Sequence, residues 1–394
     1  MQLRLSQDLG SCNVRRCWVD GGAVEWSRIP GITGKGRAMC LTDEELIDIP
    51  PERMAAAYME YRRSGYEFIR RAAVDCGVLD ALREPATVAE FAARYQVVPG
   101  KLAVAELLLG ALNRCGAVYR AGPRFAAAAE HAPRPVDDEL IRLATGKSSY
   151  RELGYSGSFG RVVASLTQGE KPALSGFDAS NVELWDQGMQ LPYYRYGRLQ
   201  AVRALVSEGN ALLDLASGTG LGLLELARYA GHGKDTDLVG VEISPDFLSA
   251  AAQRTSGDPR IRMVAGDLER PLELDGENCF DGAMLVGAYH YLRDPVPLWQ
   301  SLASLLRAGG VVCLAMTFSR TGSYDQELVD LRYAQRSPAA VPRTPAAVAA
   351  AAATAGFRLE RDFWFGCFGW LAFRKDHREP AVRPDGRTSR PNSR

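Results

Sequence analysis

Residues 213–220, Leu-Asp-Leu-Ala-Ser-Gly-Thr-Gly, are the stretch of sequence that decides the fold of this chain. The apolar residues before the glycines predict the end of a buried strand, and a helix is predicted to begin near Leu221. Gly218 and Gly220 lack side chains, so the backbone can pass close to a ligand without a clash. A strand, a glycine loop and a helix in this order indicate a ligand site at the strand's carboxyl end.

The charge around this loop separates it from the similar loop of dinucleotide-binding enzymes. Their fingerprint is Gly-x-Gly-x-x-Gly, and the third glycine position is occupied here by Leu223. Asp214 precedes the glycines, and its carboxylate would repel a pyrophosphate. The same carboxylate suits a cationic sulfonium ligand that also has an amino group.

Two more acidic residues follow predicted strands downstream of the loop. Glu242 closes the second strand, 22 positions after Gly220, where a carboxylate can accept both hydroxyls of a ribose. Asp267, followed by Leu268, comes after the third strand, where a carboxylate can accept the adenine amino group. Open parallel sheets bind ligands at the carboxyl ends of their strands, so these acids are expected to share one site.

Short apolar runs alternate with helical stretches through the second half of the chain. This order predicts a doubly wound, Rossmann-like α/β domain with a mostly parallel seven-stranded sheet. The predicted strands are residues 212–213, 238–241, 261–264, 282–286, 311–316, 357–365 and 369–373.

These residues resemble the class I S-adenosylmethionine (SAM)-dependent methyltransferases over roughly residues 205–375. The resemblance implies SAM as cofactor, held by Asp214, Gly218, Gly220, Glu242, Asp267 and Leu268. The chain departs from the family pattern at Ala216, where the family usually has the first glycine of the loop. The departure puts the affinity of the loop for SAM in question.

The first half of the chain is predicted to be helical. Thr87 and Glu90 form a capping-box signature, a leucine-rich helix ends before Gly116, and a short hairpin is predicted between Val118 and Phe125. This winged-helix order resembles the N-terminal dimerisation domain of small-molecule O-methyltransferases, which implies a homodimer. A DNA-binding regulator is disfavoured, because the leucine-rich helix offers only Lys101 and Arg114 as cations.

His290 is the candidate catalytic residue. It follows the fourth predicted strand, with Leu292 and Asp294 after it, and resembles the His-x-Trp-x-Asp motif in which O-methyltransferases have their general base. A phenol acceptor needs such a base, since phenol and imidazole pKa values differ by about 3.5, or roughly 5 kcal/mol. Related methyltransferases also have a histidine here that only begins a helix.

The chain is predicted to have five segments. They are an irregular N-terminal extension (1–45), a winged-helix-like dimerisation domain (46–130), a helical connector and substrate-pocket wall (131–205), the SAM-binding domain (206–375) and a disordered tail (376–394). Aromatic residues between Trp185 and Tyr196, together with Tyr289, Tyr291 and Phe318, are expected to line an acceptor pocket for a flat or apolar molecule.

Composition excludes several classes of protein. The formal net charge is zero, so no nucleic-acid or membrane partner is expected. The eight cysteines contain no Cys-x-x-Cys pair, so neither a metal site nor a disulfide framework is predicted. No apolar run approaches the roughly 18 residues of a membrane span, and a reduced cytoplasmic protein is expected.

The predicted reaction is methyl transfer from SAM to a hydroxyl group of a small molecule, as in secondary metabolism. Transfer to nitrogen, carbon or a carboxylate on the same fold remains open, because Leu292 replaces the tryptophan of the motif. A SAM-binding protein without methyl transfer is the third possibility.

Overall fold

The computed structural model describes residues 41–129, 135–147, 162–167, 177–230, 236–274, 276, 278–334 and 340–377. The predicted extension up to residue 40 and the predicted tail from residue 378 onward lie outside these ranges. So do residue 130 and residues 131–134, 148–161 and 168–176 of the predicted connector.

A seven-stranded sheet forms the centre of the second half of the chain. Its strands are β3 (Ala211–Leu215), β4 (Asp237–Glu242), β5 (Ile261–Ala265), β6 (Phe280–Val286), β7 (Leu306–Thr317), β8 (Phe357–Phe365) and β9 (Phe368–Lys375). Their order is β5-β4-β3-β6-β7-β9-β8. Strands β3 to β7 run parallel, and β9 is antiparallel to both β7 and β8. The predicted mostly parallel Rossmann-like sheet is therefore confirmed.

The helices of the described residues cover the sheet and build the first half of the chain. They are α1 (Asp43–Ile47), α2 (Pro51–Asp75), α3 (Val88–Arg94), α4 (Leu102–Arg114), α5 (Asp138–Thr145), α6 (Val182–Met189), α7 (Pro192–Val206), α8 (Leu221–Tyr229), α9 (Pro245–Thr255), α10 (Val296–Leu305), α11 (Gln326–Tyr333) and α12 (Pro345–Thr354). Residues 162–167 are also helical, and short 3₁₀ turns cover Asp80–Leu82 and Tyr289–Tyr291.

The order of the strands creates a crevice beside β3. From β3 the chain continues outward to β4 and β5, and it then returns to the other side of β3 with β6. The loops that follow β3 and β6 consequently diverge, and ligands of open α/β sheets bind at such a reversal. Leu213 and Val239 are fully buried in these central strands, as expected for a parallel sheet covered on both faces.

The helical first half contains the predicted elements in the predicted order. Thr87 and Glu90 form a complete capping box at the start of α3, and α4 is followed by the hairpin of β1 (Val118–Ala121) and β2 (Arg124–Ala127). That these elements form a winged-helix dimerisation domain stays a prediction.

Two features of the structure cross the predicted segment boundaries. Helix α1 begins at Asp43, inside the predicted irregular extension, because Thr42 and Glu45 form a capping box. The division at residue 205 does not separate two cores, since Leu328 and Leu331 of α11 lie in one hydrophobic cluster with Leu108 of α4. A helix inserted after β7 therefore packs with the first half of the chain.

None of the helices in the described residues has the length and apolar character that crossing a bilayer requires.

Candidate active site

A cavity of about 300 Å³ lies at the carboxyl ends of the parallel strands, beside the strand-order reversal. It is lined by the loops that follow β3, β4, β5 and β6, and by residues of α6 and α7. Of the predicted site residues, the lining includes Asp214, Gly218, Glu242, Asp267 and Leu268. The sheet thus brings together three acids that are 53 positions apart in the sequence, from Asp214 to Asp267.

The glycines of the loop are required by their surroundings. Gly218 and Gly220 both have positive φ angles, 57° and 81°, which side chains rarely adopt. Gly220 does not line the cavity; it is the N-cap of α8, and a Cβ there would lie 3.3 Å from the Cβ of Ala251. Gly222 was not among the predicted site residues. A Cβ added at this position would lie 2.6 Å from Asp214 Oδ2, so a side chain there would clash with the carboxyl group.

Ala216 has a left-handed backbone conformation, which glycine adopts more readily than alanine. Its φ angle is 49°, in the left-handed region, where a Cβ costs about 1 kcal/mol. Leu223, at the third glycine position of the dinucleotide fingerprint, is fully buried, and a Cβ at Gly240 would meet its side chain at 2.5 Å.

Asp214 is a buried carboxyl at the end of β3. Its pKa is raised to about 8, chiefly by burial, and Glu225 and Glu242 contribute to the rise while Arg198 opposes it. Arg198 is itself buried and donates to both carboxylate oxygens of Glu225, at 2.6 and 2.7 Å. Because that guanidinium is paired with Glu225, the site keeps an acidic group that a cationic ligand can ionise.

Glu242 is fixed by backbone amides where β4 ends. Its Oε2 accepts a hydrogen bond from the amide of Gly218 at 2.9 Å, and its Oε1 accepts from Ile243 at 3.0 Å and Ser244 at 2.9 Å. The carboxylate therefore holds the glycine loop against the second strand. Ile243, beside it, lines the cavity although it is 59% exposed, and the sequence analysis did not identify it.

Asp267 and Ser217 add polar groups to the cavity wall. Asp267 accepts from the amide of Glu269 at 2.9 Å and lies 3.4 Å from the guanidinium of Arg270. Ser217 is 8% exposed, and its Oγ has no hydrogen-bond partner among the described residues. A buried hydroxyl without a partner at a cavity wall indicates that a ligand supplies the missing hydrogen bond.

Residues 177–189 cover the cavity as a lid. Phe177 stacks on Trp185 with ring centroids 5.2 Å apart and meets the edge of Tyr291 at 4.9 Å. Asp186 bonds to Thr219 of the glycine loop and to Arg254 of α9. This apolar cover, fastened by an ion pair, can exclude water from the cavity.

The predicted aromatic wall is only partly present. Trp185, Met189 and Tyr291 line the cavity. Tyr193, Tyr194 and Tyr196 instead pack in the core beneath α7, because their helix directs them at Tyr58 and the β8–β9 strands. Tyr289 accepts a hydrogen bond from Trp299, and Phe318 packs on Trp364, so both belong to the core.

His290 does not line the cavity. It is 1% exposed, and its ring lies 4.3 Å from that of Tyr291 and 5.3 Å from that of Tyr333. Of these residues, only Tyr291 lines the cavity. The role of His290 as general base stays a prediction.

Part of the chain matches a known family of protein domains. Residues 212–310 match the model of the methyltransferase domain family. This stretch of the chain is therefore similar to methyltransferase domains. A demethylmenaquinone methyltransferase of Bacillus licheniformis is 30% identical over 111 residues, which are 28% of this chain and 46% of that protein. The chain thus spans less than half of the length of this curated relative.

Solved structures resemble the chain well beyond the methyltransferase domain. The DszA carbon methyltransferase has a TM-score of 0.59 at 15% identity and covers 85% of this chain and 96% of its own. The CurJ carbon methyltransferase has a TM-score of 0.57 at 13% identity over the same shares. The CMeT domain of the citrinin polyketide synthase has a TM-score of 0.57 at 13% identity and covers 86% and 94%. These similarities show a shared fold.

The residues that line the cavity fit SAM. The cavity has a buried acid for a cationic group at Asp214, a fixed carboxylate at Glu242 and the unpaired hydroxyl of Ser217. Sequence reasoning missed the ion pairs Arg198–Glu225 and Asp186–Arg254, as well as Gly222 and Ser217. The two residues of each ion pair lie 27 and 68 positions apart in the sequence, so no local pattern predicts these pairs.

Proposed function

We propose that this chain transfers the methyl group of SAM to a small-molecule acceptor. The observation that supports the proposal is the convergence of Asp214, Glu242 and Asp267 on one cavity at the strand-order reversal. When bound, SAM would supply a methyl group on a positively charged sulfur. A nucleophile would bond to the methyl carbon in line with the sulfur, which leaves with the electrons of the broken bond.

The residues of the chain would divide the work of binding and positioning. Asp214 would hold the positively charged end of the cofactor, Glu242 the ribose hydroxyls, and Asp267 with Leu268 the adenine. Trp185 of the lid, together with Tyr291, would exclude water, which strengthens these interactions and keeps the acceptor beside the sulfur.

The acceptor atom that we favour is carbon. The cavity lining includes the apolar side chains of Trp185, Met189 and Val286, and His290 lies outside the lining. A carbon made acidic by flanking carbonyl groups, or the electron-rich ring carbon of a phenol, suits such a wall. The carbon methyltransferases that share the fold over 85% of the chain support this choice.

A hydroxyl acceptor is the second candidate. The ring of His290 contacts Tyr291, which lines the cavity, so a histidine lies one residue behind the cavity wall. In this alternative, His290 accepts the proton of a natural-product hydroxyl during transfer.

The test is methyl transfer by the purified full chain from methyl-labelled SAM to a panel of acceptors. The panel contains a 1,3-dicarbonyl, a naphthol, an aryl carboxylic acid and an aniline, and NMR of the products identifies the atom bonded to the labelled methyl group. We expect a new carbon–carbon bond, and labelled oxygen ethers as the main product would favour the second candidate.

Two variants make this test specific. Glu242→Gln should abolish transfer to every acceptor, because it disrupts the amide contacts that hold the glycine loop. His290→Ala should abolish transfer only if the imidazole is the base, and unchanged turnover rules that role out. Failure of the wild-type chain to bind SAM would overturn the proposal as a whole.

We also propose that two copies associate through the helical first half. Leu102 at the start of α4 and Tyr119 of β1 are 49% and 51% exposed, so each offers an apolar side chain that a second copy would cover. Light scattering after size exclusion should give twice the chain mass of 42.9 kDa. Leu102→Glu with Tyr119→Glu should shift that value to the monomer.

A further inference from the structure

A second cavity, of about 630 Å³, lies away from the SAM cavity, between α7 and the strands β8 and β9. It is lined by Gln200, Arg203, Ala204 and Ser207 of α7 and by Arg361, Asp362, Phe363 and Trp370 of the strands. No lining residue is shared with the SAM cavity.

The floor of this second cavity is a pair of stacked aromatic rings. Phe363 and Trp370 are cross-strand partners in β8 and β9, with ring centroids 5.3 Å apart and an angle of 6° between the planes. Trp370 is 5% exposed, and its Nε1 has no hydrogen-bond partner among the described residues. A buried indole N–H without an acceptor is costly, and a ligand oxygen would satisfy it.

Two arginine side chains also line this second cavity. Arg203 and Arg361 are both exposed, and neither forms an ion pair with any residue that the structure describes. The guanidinium of Arg361 lies 5.8 Å from the centre of the Trp370 ring. A β-bulge between Leu359 and Arg361 sets the register in which Arg361 and Phe363 oppose Ala372 and Trp370.

The carboxylates of this region are engaged elsewhere. Asp362 accepts a hydrogen bond from Trp364 Nε1 at 2.6 Å, and Glu208 accepts two from Arg374 at 2.9 Å each. Arg203 and Arg361 are therefore left to interact with a ligand anion, next to a flat apolar floor and an unused N–H donor.

We propose that this second cavity binds a planar aromatic carboxylate. Its carboxylate would lie between Arg203 and Arg361, and its ring would lie against Phe363 and Trp370. Arginine is suited to this task, because its planar fork matches a carboxylate and also stacks on aromatic rings. The proposal is independent of the proposed methyl transfer.

The test is calorimetric titration of the full chain with 2-naphthoate. We expect saturable binding of one equivalent, and no saturable binding of the uncharged 2-naphthamide. Arg203→Gln and Arg361→Gln should each weaken binding about tenfold, since each removes a charge-assisted hydrogen bond. Both side chains are exposed, so the folds of these variants should be intact. Trp370→Phe, which keeps the stacked ring and removes the N–H, should weaken binding several-fold.

The matched control is Arg358→Gln, an exposed arginine on the same strand β8 that does not line the cavity. It should leave the affinity for 2-naphthoate unchanged, as should saturation of the chain with S-adenosylhomocysteine. Absence of saturable binding, equal weakening by Arg358→Gln, or displacement of 2-naphthoate by S-adenosylhomocysteine would each overturn the proposal.

Discussion

Asp214 is an acid whose burial opposes its ionisation. In an unfolded chain an aspartate has a pKa near 4, whereas the pKa of Asp214 in the folded chain is raised to about 8, chiefly by burial. The folded state therefore binds more protons between those values, and Asp214 makes the fold less stable as pH rises through that window. A cationic ligand beside the carboxylate offsets this cost.

We therefore predict that SAM binds more tightly as pH rises from about 6 to about 8, by about tenfold, because binding ionises Asp214. Titration calorimetry at several pH values measures this change. Asp214→Asn should remove most of the dependence, leaving that of the amino group of SAM. The exposed Glu273→Gln should retain it. Equal pH dependence in Asp214→Asn and the wild type would contradict the prediction.

Ala216 stores backbone strain in the glycine loop. The φ angle of Ala216 is 49°, so replacement by glycine should remove about 1 kcal/mol of strain from the folded state. About 0.5 kcal/mol of this gain is offset, because glycine has more conformational entropy in the unfolded chain. Ala216→Gly should therefore raise the free energy of unfolding in urea slightly or leave it unchanged. Ala252→Gly, at an exposed position within α9, should lower it by about 1 kcal/mol. A loss of equal size in both variants would show that the loop is unstrained.

At the scale of elements, α6 covers the cavity because its ion pair fastens it to α9. Arg254 donates to Asp186 and to the carbonyl oxygen of Thr219, at 2.9 Å for the latter. The lid, the glycine loop and α9 are thus held by one guanidinium. Asp186 and Arg254 are 17% and 23% exposed, so the pair can open without unfolding the sheet.

Arg254→Gln should loosen this lid. We expect S-adenosylhomocysteine to dissociate about tenfold faster, and hydrogen exchange of residues 182–189 to accelerate, with the unfolding midpoint nearly unchanged. Stopped-flow fluorescence and exchange mass spectrometry measure the two effects. The exposed Arg262→Gln on β5 is the control and should alter neither. A dissociation rate equal to that of the wild type would mean that other contacts hold the lid.

At the scale of the whole molecule, Asp325 joins the helical half to the sheet. This fully buried carboxylate accepts hydrogen bonds from Tyr58 and Arg62 of α2 at 3.0 Å, and from the amide of Cys367 at 2.9 Å. Glu327 adds bonds from Tyr66 of α2 and Arg114 of α4. The two halves consequently share polar contacts as well as a core.

Asp325→Ala should therefore lower the free energy of unfolding by about 3–5 kcal/mol, because it leaves the guanidinium of Arg62 buried without its counter-ion. Urea unfolding followed by circular dichroism measures this loss. Asp80→Ala removes an exposed partner of Arg83 and should cost less than about 1 kcal/mol. If the two variants lost similar amounts, Asp325 would not be a structural link between the halves.

The sequence by itself determined the sheet, the glycine loop and the three acids of the cavity. These features depend on local rules: periodicity sets strands and helices, glycine sets the turn, and an acid that ends a strand lies at the ligand edge of a parallel sheet. Asp214, Glu242 and Asp267 each lie within two residues of the end of a strand, so their common location could be predicted without coordinates.

Only the tertiary structure decided which side chains cover the cavity and how the halves join. Asp186 meets Arg254 across 68 positions, and Arg62 meets Asp325 across 263. The tyrosines of α7 and His290 could not be placed either, since a helix fixes the spacing of its side chains but not the direction of its faces. Direction is set by packing between elements distant in the sequence, and no local pattern encodes it.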